Sequence, residues 1–196
     1  MRKVLFLFAH PNPGRSRANR RILESLRGLP GVTVRSLYDL FPEFYIDPRP
    51  EQELLAAHDA LVLQHPFYWY SMPPLLKLWL DTVLEYGWAY GGAGPGGAPG
   101  GKGAQALKGK DFLLSITAGG PLDSYRAEGY NTFPIEAFFP PYEQTARLCG
   151  MRWHKPLVLH HSTRVPDSAL LHHAELVRDH VRALATAGSP PAGRII

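Results

Sequence analysis

The sequence predicts an α/β domain, a doubly wound parallel sheet of five strands with helices on both faces. Three observations carry this. Apolar runs of about five or six residues recur along the chain without the polar alternation of a strand that faces water on one side. Segments with helical spacing of apolar residues separate these runs. The 196 residues, 45% of them hydrophobic, are enough for one domain with a sizeable core and too few for a second.

The elements follow in order. Val4 to Ala9 is the first strand. Met1-Arg2-Lys3 before it gives the basic-then-apolar start of a secretory leader, but the run is short and ends at Pro11, Asn12, Pro13 and Gly14 with no small-residue cleavage site. Ser16 to Arg27 places Ala18, Ile22, Leu23 and Leu26 on one helical face, and Gly28 stops it. Val32 to Leu37 is the second strand, Glu51 to Ala57 a short helix, and Ala60 to Gln64 the third strand. Pro73-Pro74 opens a helix through Leu84, proline being tolerated in a first turn. That helix is apolar on more than one face, which places it inside the sheet layer or at a subunit contact. Phe112 to Thr117, Ile135 to Leu148, Pro156 to His160 and Ser168 to Ala187 complete the alternation as strand, helix, strand and helix. The flavodoxin-like strand order 2-1-3-4-5 is the expectation for five such units. Sheets of this kind bind ligands beyond the carboxyl ends of their strands, near the point where strand order reverses. The loops after strands 1, 3 and 4 are therefore the candidate site.

Composition narrows the function classes. The 19 Gly and 19 Pro are together about 19% of the chain, against roughly 12% in average usage, but eight Gly and two Pro fall in residues 91–103. That stretch reads as a flexible low-complexity insert, and residues 188–196 as a flexible tail to a domain spanning residues 1–187. Cys149 is the only cysteine, which excludes an internal disulfide framework and a cysteine-based metal centre and fits a reducing cytoplasm. No run approaches the roughly 20 apolar residues of a membrane span. The net charge of +4 is concentrated in residues 1–35, where eight basic groups face Glu24 alone. A basic end points to an anion, and with no recognition-helix, zinc-finger or RNP-like pattern a small phosphate ligand suits it better than nucleic acid.

Within the glycine-rich stretch, Gly92 to Gly97 fits G-x-G-x-x-G and Gly96 to Lys102 fits most of a Walker A loop. Neither follows a strand, and Gly103 stands where the second needs a magnesium-binding hydroxyl, so both are rejected. His160-His161 and His172-His173, with Glu175 and His180, lack a metal-binding spacing and read as solvated or capping residues. No G-x-S-x-G elbow supports a hydrolase.

The three loops are more informative. His10 to Asn19 joins a strand to a helix N-terminus, where free N–H groups favour an anion. Ser16 is the natural cap, with His10, Asn19 and the nearby arginines as further donors. Phe67-Tyr68-Trp69-Tyr70 sets four aromatics in a row. Strand and helix geometry cannot bury all four on one side, so some must meet a flat ligand or a partner chain. Thr117-Ala118-Gly119-Gly120 lets backbone come close to a ligand.

Ala9-His10-Pro11 with Ser16-x-x-Asn19, Gln64-His65-Pro66-x-x-Trp69-Tyr70-Ser71-Met72-Pro73-Pro74, Gly87-Trp88-Ala89-Tyr90-Gly91 and Thr117 to Gly120 resemble the flavodoxin-like NAD(P)H:quinone oxidoreductases. The likeness is greatest to their bacterial branch, the ancillary proteins of glutathione-regulated potassium-efflux systems. The resemblance implies a flavin, FMN rather than FAD because the chain lacks a C-terminal extension. His10, Ser16, Arg17, Ala18 and Asn19 would hold its phosphate, Phe67, Tyr68, Trp69 and Tyr70 would lie along its ring, and Thr117, Ala118, Gly119 and Gly120 would close the far edge. It also implies NAD(P)H as the hydride source, a quinone as acceptor, a homodimer into whose partner site Trp88 and Tyr90 would reach, and a potassium-efflux channel as a second partner at the inner face of the membrane. Tyr125 matches a tyrosine that assists catalysis in the family. Asn131 stands where the family carries a histidine, and an amide cannot relay a proton as imidazole does.

Overall fold

The computed structural model describes residues 1–91 and 106–186. The chain runs β1 (Val4–Phe8), α1 (Arg17–Ser25), β2 (Val32–Ser36), α2 (Leu37–Leu40), α3 (Pro48–Ala56), β3 (Ala60–Pro66), α4 (Pro74–Val83), β4 (Asp111–Thr117), α5 (Pro140–Leu148), β5 (Arg152–Trp153), β6 (Leu157–Leu159) and α6 (Asp167–Thr186). The sheet is parallel throughout, in the order β2-β1-β3-β4-β5, with β6 also on β4. The expected flavodoxin-like order is therefore observed. The insert beyond Gly91 and the tail 188–196 lie outside the described residues.

Every residue of β1, β3 and β4 is buried. Alternate side chains go to opposite faces, as the pleat requires. Val4, Phe6 and Phe8 pack with Ile22, Val177 and Val181 beneath α1 and α6. Leu5 and Leu7 pack with Leu61, Leu63, Leu75 and Trp79 on the other face. Trp79 has no exposed surface, and its indole N–H donates to the buried Glu51 carboxylate at 2.9 Å. Such a ring is a main anchor of that layer, worth about 3–5 kcal/mol on truncation.

Several elements depart from the sequence reading. β2 is an edge strand and only half-buried, although its apolar run was read as covered on both faces. The fifth strand, expected over Pro156 to His160, is two short segments that pair with opposite ends of β4, and Pro156, which has no N–H to give a ladder, stands between them. The helix expected over Ile135 to Leu148 is a 3-10 turn at Ile135–Phe138 followed by α5, the break falling where Pro140-Pro141 restarts the helix. α3 begins early because the Asp47 carboxylate caps it, accepting from the Arg49 N–H at 3.1 Å. α4 buries Leu75, Leu76, Trp79, Leu80 and Val83 in its own chain's core, so the sheet layer alone accounts for its apolar character. Trp88 and Tyr90 also pack against that core. His160, His173 and His180 are buried rather than solvated.

Register places the site. Phe8 pairs with Gln64 and Pro66 with Thr117, so β1, β3 and β4 end along one edge and their following loops meet there.

Candidate cofactor-binding site

The three loops enclose one cleft of about 610 Å³, lined by His10, Asn12, Arg15, Ser16, Arg17, Ala18, Asn19, Pro66, Phe67, Tyr68, Thr117, Gly119, Ser162 and Thr163. A smaller cleft of about 220 Å³ shares Phe67 and Gly119 with it and continues between Trp69, Tyr70, Gly120, Tyr125 and Asn131. Together they form a trough with a polar end and an aromatic end.

At the polar end Ser16 caps α1. Its hydroxyl oxygen accepts from the Asn19 N–H at 3.2 Å and from the Asn19 amide at 3.0 Å. Both lone pairs are then used, and the hydroxyl proton is left to donate into the cleft. The N–H groups of Arg17 and Ala18, in the first turn of α1, have no intrahelical acceptor and carry the positive end of the helix dipole. His10 accepts from the Asn12 N–H through Nδ1 at 3.0 Å, which puts the ring proton on Nε2 as a further donor. Burial lowers the pKa of His10, so this donor is neutral at pH 7.

Two residues assigned to this end act differently from the sequence reading. Asn19 is buried, and its amide points inward. It donates to Thr117 Oγ1 at 2.8 Å and accepts from Gln64 Nε2 at 2.9 Å, tying the ends of β3 and β4 to the capping loop. The Arg17 guanidinium turns to Asp167, 2.5 Å away, and to the Val165 carbonyl. Arg20 and Arg21 pair with Glu24, so Arg15 is the arginine of this group left on the cleft without an acidic partner among the described residues. Ser162 and Thr163 complete the lining and were missed. Their signal was topological, since the loop after the fifth strand reaches the same edge.

At the aromatic end Phe67 is buried while Tyr68, Trp69 and Tyr70 are exposed, Trp69 by 92%. Tyr68 and Ser71 bridge across a tight turn in which Trp69 and Tyr70 both take left-handed backbone, φ 49° and 63°. Such a turn favours Asn-Gly, and each L-residue with a large side chain costs about 1–2 kcal/mol there. Strain of this kind is kept where it serves a site. Phe138 stacks on Tyr70 at 5.1 Å between centroids and meets Phe67 edge-on at 5.6 Å, which braces the turn from behind.

Across the trough, a Cβ added at Gly119 would meet nothing within 4 Å, whereas one at Gly120 would come within 2.9 Å of Ser124 Oγ and 3.0 Å of Asn131 Nδ2. The first glycine leaves space in the cleft and the second is required by packing. Asn131 donates to Ser124 Oγ at 2.7 Å and accepts from the Tyr70 hydroxyl at 3.1 Å, so its side chain links the two walls. Tyr125 lines the slot, and burial raises its pKa above the ordinary phenol value.

The trough suits a ligand with a phosphate at one end and a flat ring at the other: helix-terminal donors face the first, and aromatic surface with an open glycine faces the second. A chain from Treponema denticola, described as general stress protein 14 in complex with FMN, superposes with a TM-score of 0.81 at 35% identity, over 93% of this chain and 99% of that one. A NADPH-quinone reductase from P. pentosaceus superposes with a TM-score of 0.77 at 25% identity, over 97% of this chain and 99% of that one. The glutathione-regulated potassium-efflux system ancillary protein KefG of Yersinia enterocolitica is 42% identical over 187 residues, 95% of this chain and 96% of that protein. A profile of the flavodoxin-like fold matches residues 2–182. By strand order, by that match and by these relatives, the chain belongs to the flavodoxin-like family, in the branch that contains the potassium-efflux ancillary proteins.

Proposed function

We propose that the chain binds FMN in the trough and is an NAD(P)H:quinone oxidoreductase, moving two electrons as hydride from a nicotinamide to a quinone. The observation that carries this reading is the continuity of the trough, with phosphate donors and a ring slot joined through Phe67 and Gly119. The bound flavin supplies a ring that takes up hydride and gives it back.

The chain does the rest. Ser16, the N–H groups of Arg17 and Ala18, and His10 Nε2 hold the phosphate dianion. Phe67, Trp69 and Tyr70 orient the ring from one side, and the open face of Gly119 admits it from the other. Tyr125 stays protonated at pH 7, with its hydroxyl available to an acceptor oxygen that has gained negative charge. Asn131 braces Tyr70 and carries no proton of suitable pKa, so the proton comes from Tyr125. A visible spectrum tests this reading. FMN-loaded protein should be yellow, NADPH or NADH should bleach it, and a quinone should restore the colour. Protein that neither binds added FMN nor oxidises a nicotinamide would refute it.

Trp69, Tyr130 and Phe133 are exposed by 92%, 74% and 58%, and Tyr130 and Phe133 lie on the loop that carries Asn131. This aromatic rim supports a homodimer whose second copy closes the slot. A monomer by sedimentation at micromolar concentration in the presence of FMN, measured in the ultracentrifuge, would count against it. The KefG relative is named as an ancillary protein of a glutathione-regulated potassium-efflux system, which favours a second role for this chain, that of binding and activating the channel of such a system. No helix among the described residues is long and apolar enough to cross a membrane. Potassium efflux from cells carrying the channel, with and without this chain, tests that role.

A further inference from the structure

Behind Tyr125 stands an imidazole that the reaction described above does not use. His160 follows β6, where the chain runs along the Gly119-Gly120 turn: the Ala118 N–H donates to the Leu159 carbonyl at 2.8 Å, and the His161 N–H to the Gly120 carbonyl at 2.9 Å. Its ring meets the Tyr125 ring edge-on, with 5.4 Å between centroids and 61° between planes. His160 is 7% exposed, and among the described residues neither ring nitrogen meets a partner at full bonding geometry, although the Gly120 carbonyl lies close enough to pull on its proton. A buried imidazole left idle is costly, and a phenylalanine or leucine would fill the same space without that cost. The groups that face it are Tyr125 from the loop after β4, the Gly120 carbonyl, Glu136 from the turn before α5, and His173 from α6. Burial lowers its pKa, against opposing pulls from Gly120 and Glu136, so the ring is neutral at pH 7 with one N–H to give.

We propose that His160 is a positioning residue for proton transfer from Tyr125, its idle N–H turning onto the phenolate oxygen left when Tyr125 protonates the reduced acceptor. The step rests on the quinone reductase reading. The acceptor receives two electrons as hydride, which leaves a negative oxygen. The Tyr125 O–H bond breaks and an acceptor O–H bond forms. Solvent then returns a proton to the phenolate. In this chain an imidazole from the end of the sheet thus stands behind the tyrosine, while position 131 holds an amide.

The test reads Tyr125 directly. Protein carrying 3-fluorotyrosine is titrated by fluorine NMR without flavin, and the Tyr125 signal is assigned with Tyr125→Phe. A charge-assisted hydrogen bond to the phenolate corresponds to about one pH unit or more. His160→Phe, which keeps the ring packing, should therefore raise the Tyr125 midpoint by about one unit, while His160→Gln, which keeps a donor, should stay close to the wild type. In stopped flow, His160→Phe should leave nicotinamide oxidation unchanged and slow quinone reduction about tenfold, in line with the midpoint shift. An unchanged midpoint in His160→Phe, or equal shifts in both variants, overturns the proposal. If the midpoint shifts as expected but wild-type protein reduces no quinone, the reductase reading has failed and the contact has not.

Discussion

The two adjacent glycines at the end of β4 provide a sharp test of the site. Gly119 has no left-handed backbone to protect, and a Cβ there meets nothing within 4 Å. Gly119→Ala should therefore stabilise the flavin-free protein by about 0.4–1 kcal/mol through loss of unfolded-chain freedom. For a domain of this size that is roughly 1–4 °C in Tm. Gly119→Val should fold as well, yet its side chain occupies the slot between Phe67 and Tyr125. Crowding a ring costs about 1–3 kcal/mol, which weakens FMN binding roughly 5- to 150-fold. Gly120 behaves in the opposite way. A Cβ there comes within 2.9 Å of Ser124 Oγ, 3.0 Å of Asn131 Nδ2 and 3.2 Å of Tyr125 Cε2. Gly120→Ala should lose about 1–2 kcal/mol of stability after the chain-entropy gain, or roughly 2–8 °C. Calorimetry of flavin-free protein and titration of FMN by quenching of its fluorescence read the two effects separately. The argument is refuted if Gly119→Val keeps its FMN affinity, or lowers Tm as far as Gly120→Ala does.

Three further outcomes follow from the same geometry. Trp69→Asn relieves a left-handed residue that is 92% exposed, so flavin-free Tm should rise by about 1–3 °C while FMN affinity falls, and a lower Tm would show that the turn is not strained. Gln64→Met removes the donor to Asn19 and leaves a buried carbonyl oxygen unpaired, which should cost about 1–3 kcal/mol by denaturant titration and loosen the Ser16 loop enough to weaken FMN binding several-fold. His65 is fully buried, stacked on Tyr142 at 5.8 Å, and burial lowers its pKa to about 4. The unfolded chain, with a histidine near 6.5, binds the proton first, so this contribution is fully present above pH 6.5 and is lost as pH falls towards 4. The loss is about 3 kcal/mol, and His173, also lowered to about 4, adds a similar share. Denaturant midpoints between pH 7 and 4.5 should therefore fall in wild-type protein and fall less in His65→Phe, and parallel curves would refute the assignment.

The sheet was legible where both faces of a strand are covered. β1, β3 and β4 are buried from end to end, and their apolar runs, Val4–Phe8, residues 60–63 and residues 112–114, suit that environment, the buried polar residues falling at or towards the strand ends. The same cue misled at β2, whose run lies at the edge, and at the fifth position, where Pro156 divides the pairing between two segments. The site was legible as loops because strand ends, a capping serine, a row of aromatics and paired glycines are all local signals. Side-chain direction was not. Arg17 reads as a phosphate ligand until Asp167, 150 residues later, takes its guanidinium. Asn19 reads as a donor into the cleft until Thr117 and Gln64 claim its amide from within. In both cases a distant partner that local spacing cannot reveal decides the role, and in both the backbone N–H groups at the start of α1 stay aimed at the cleft. Anion binding here is therefore a property of the chain's path, with the side chains holding that path in place. Substitutions that cut those ties, at Asp167 or Gln64, should weaken FMN binding although neither residue lines the main cleft.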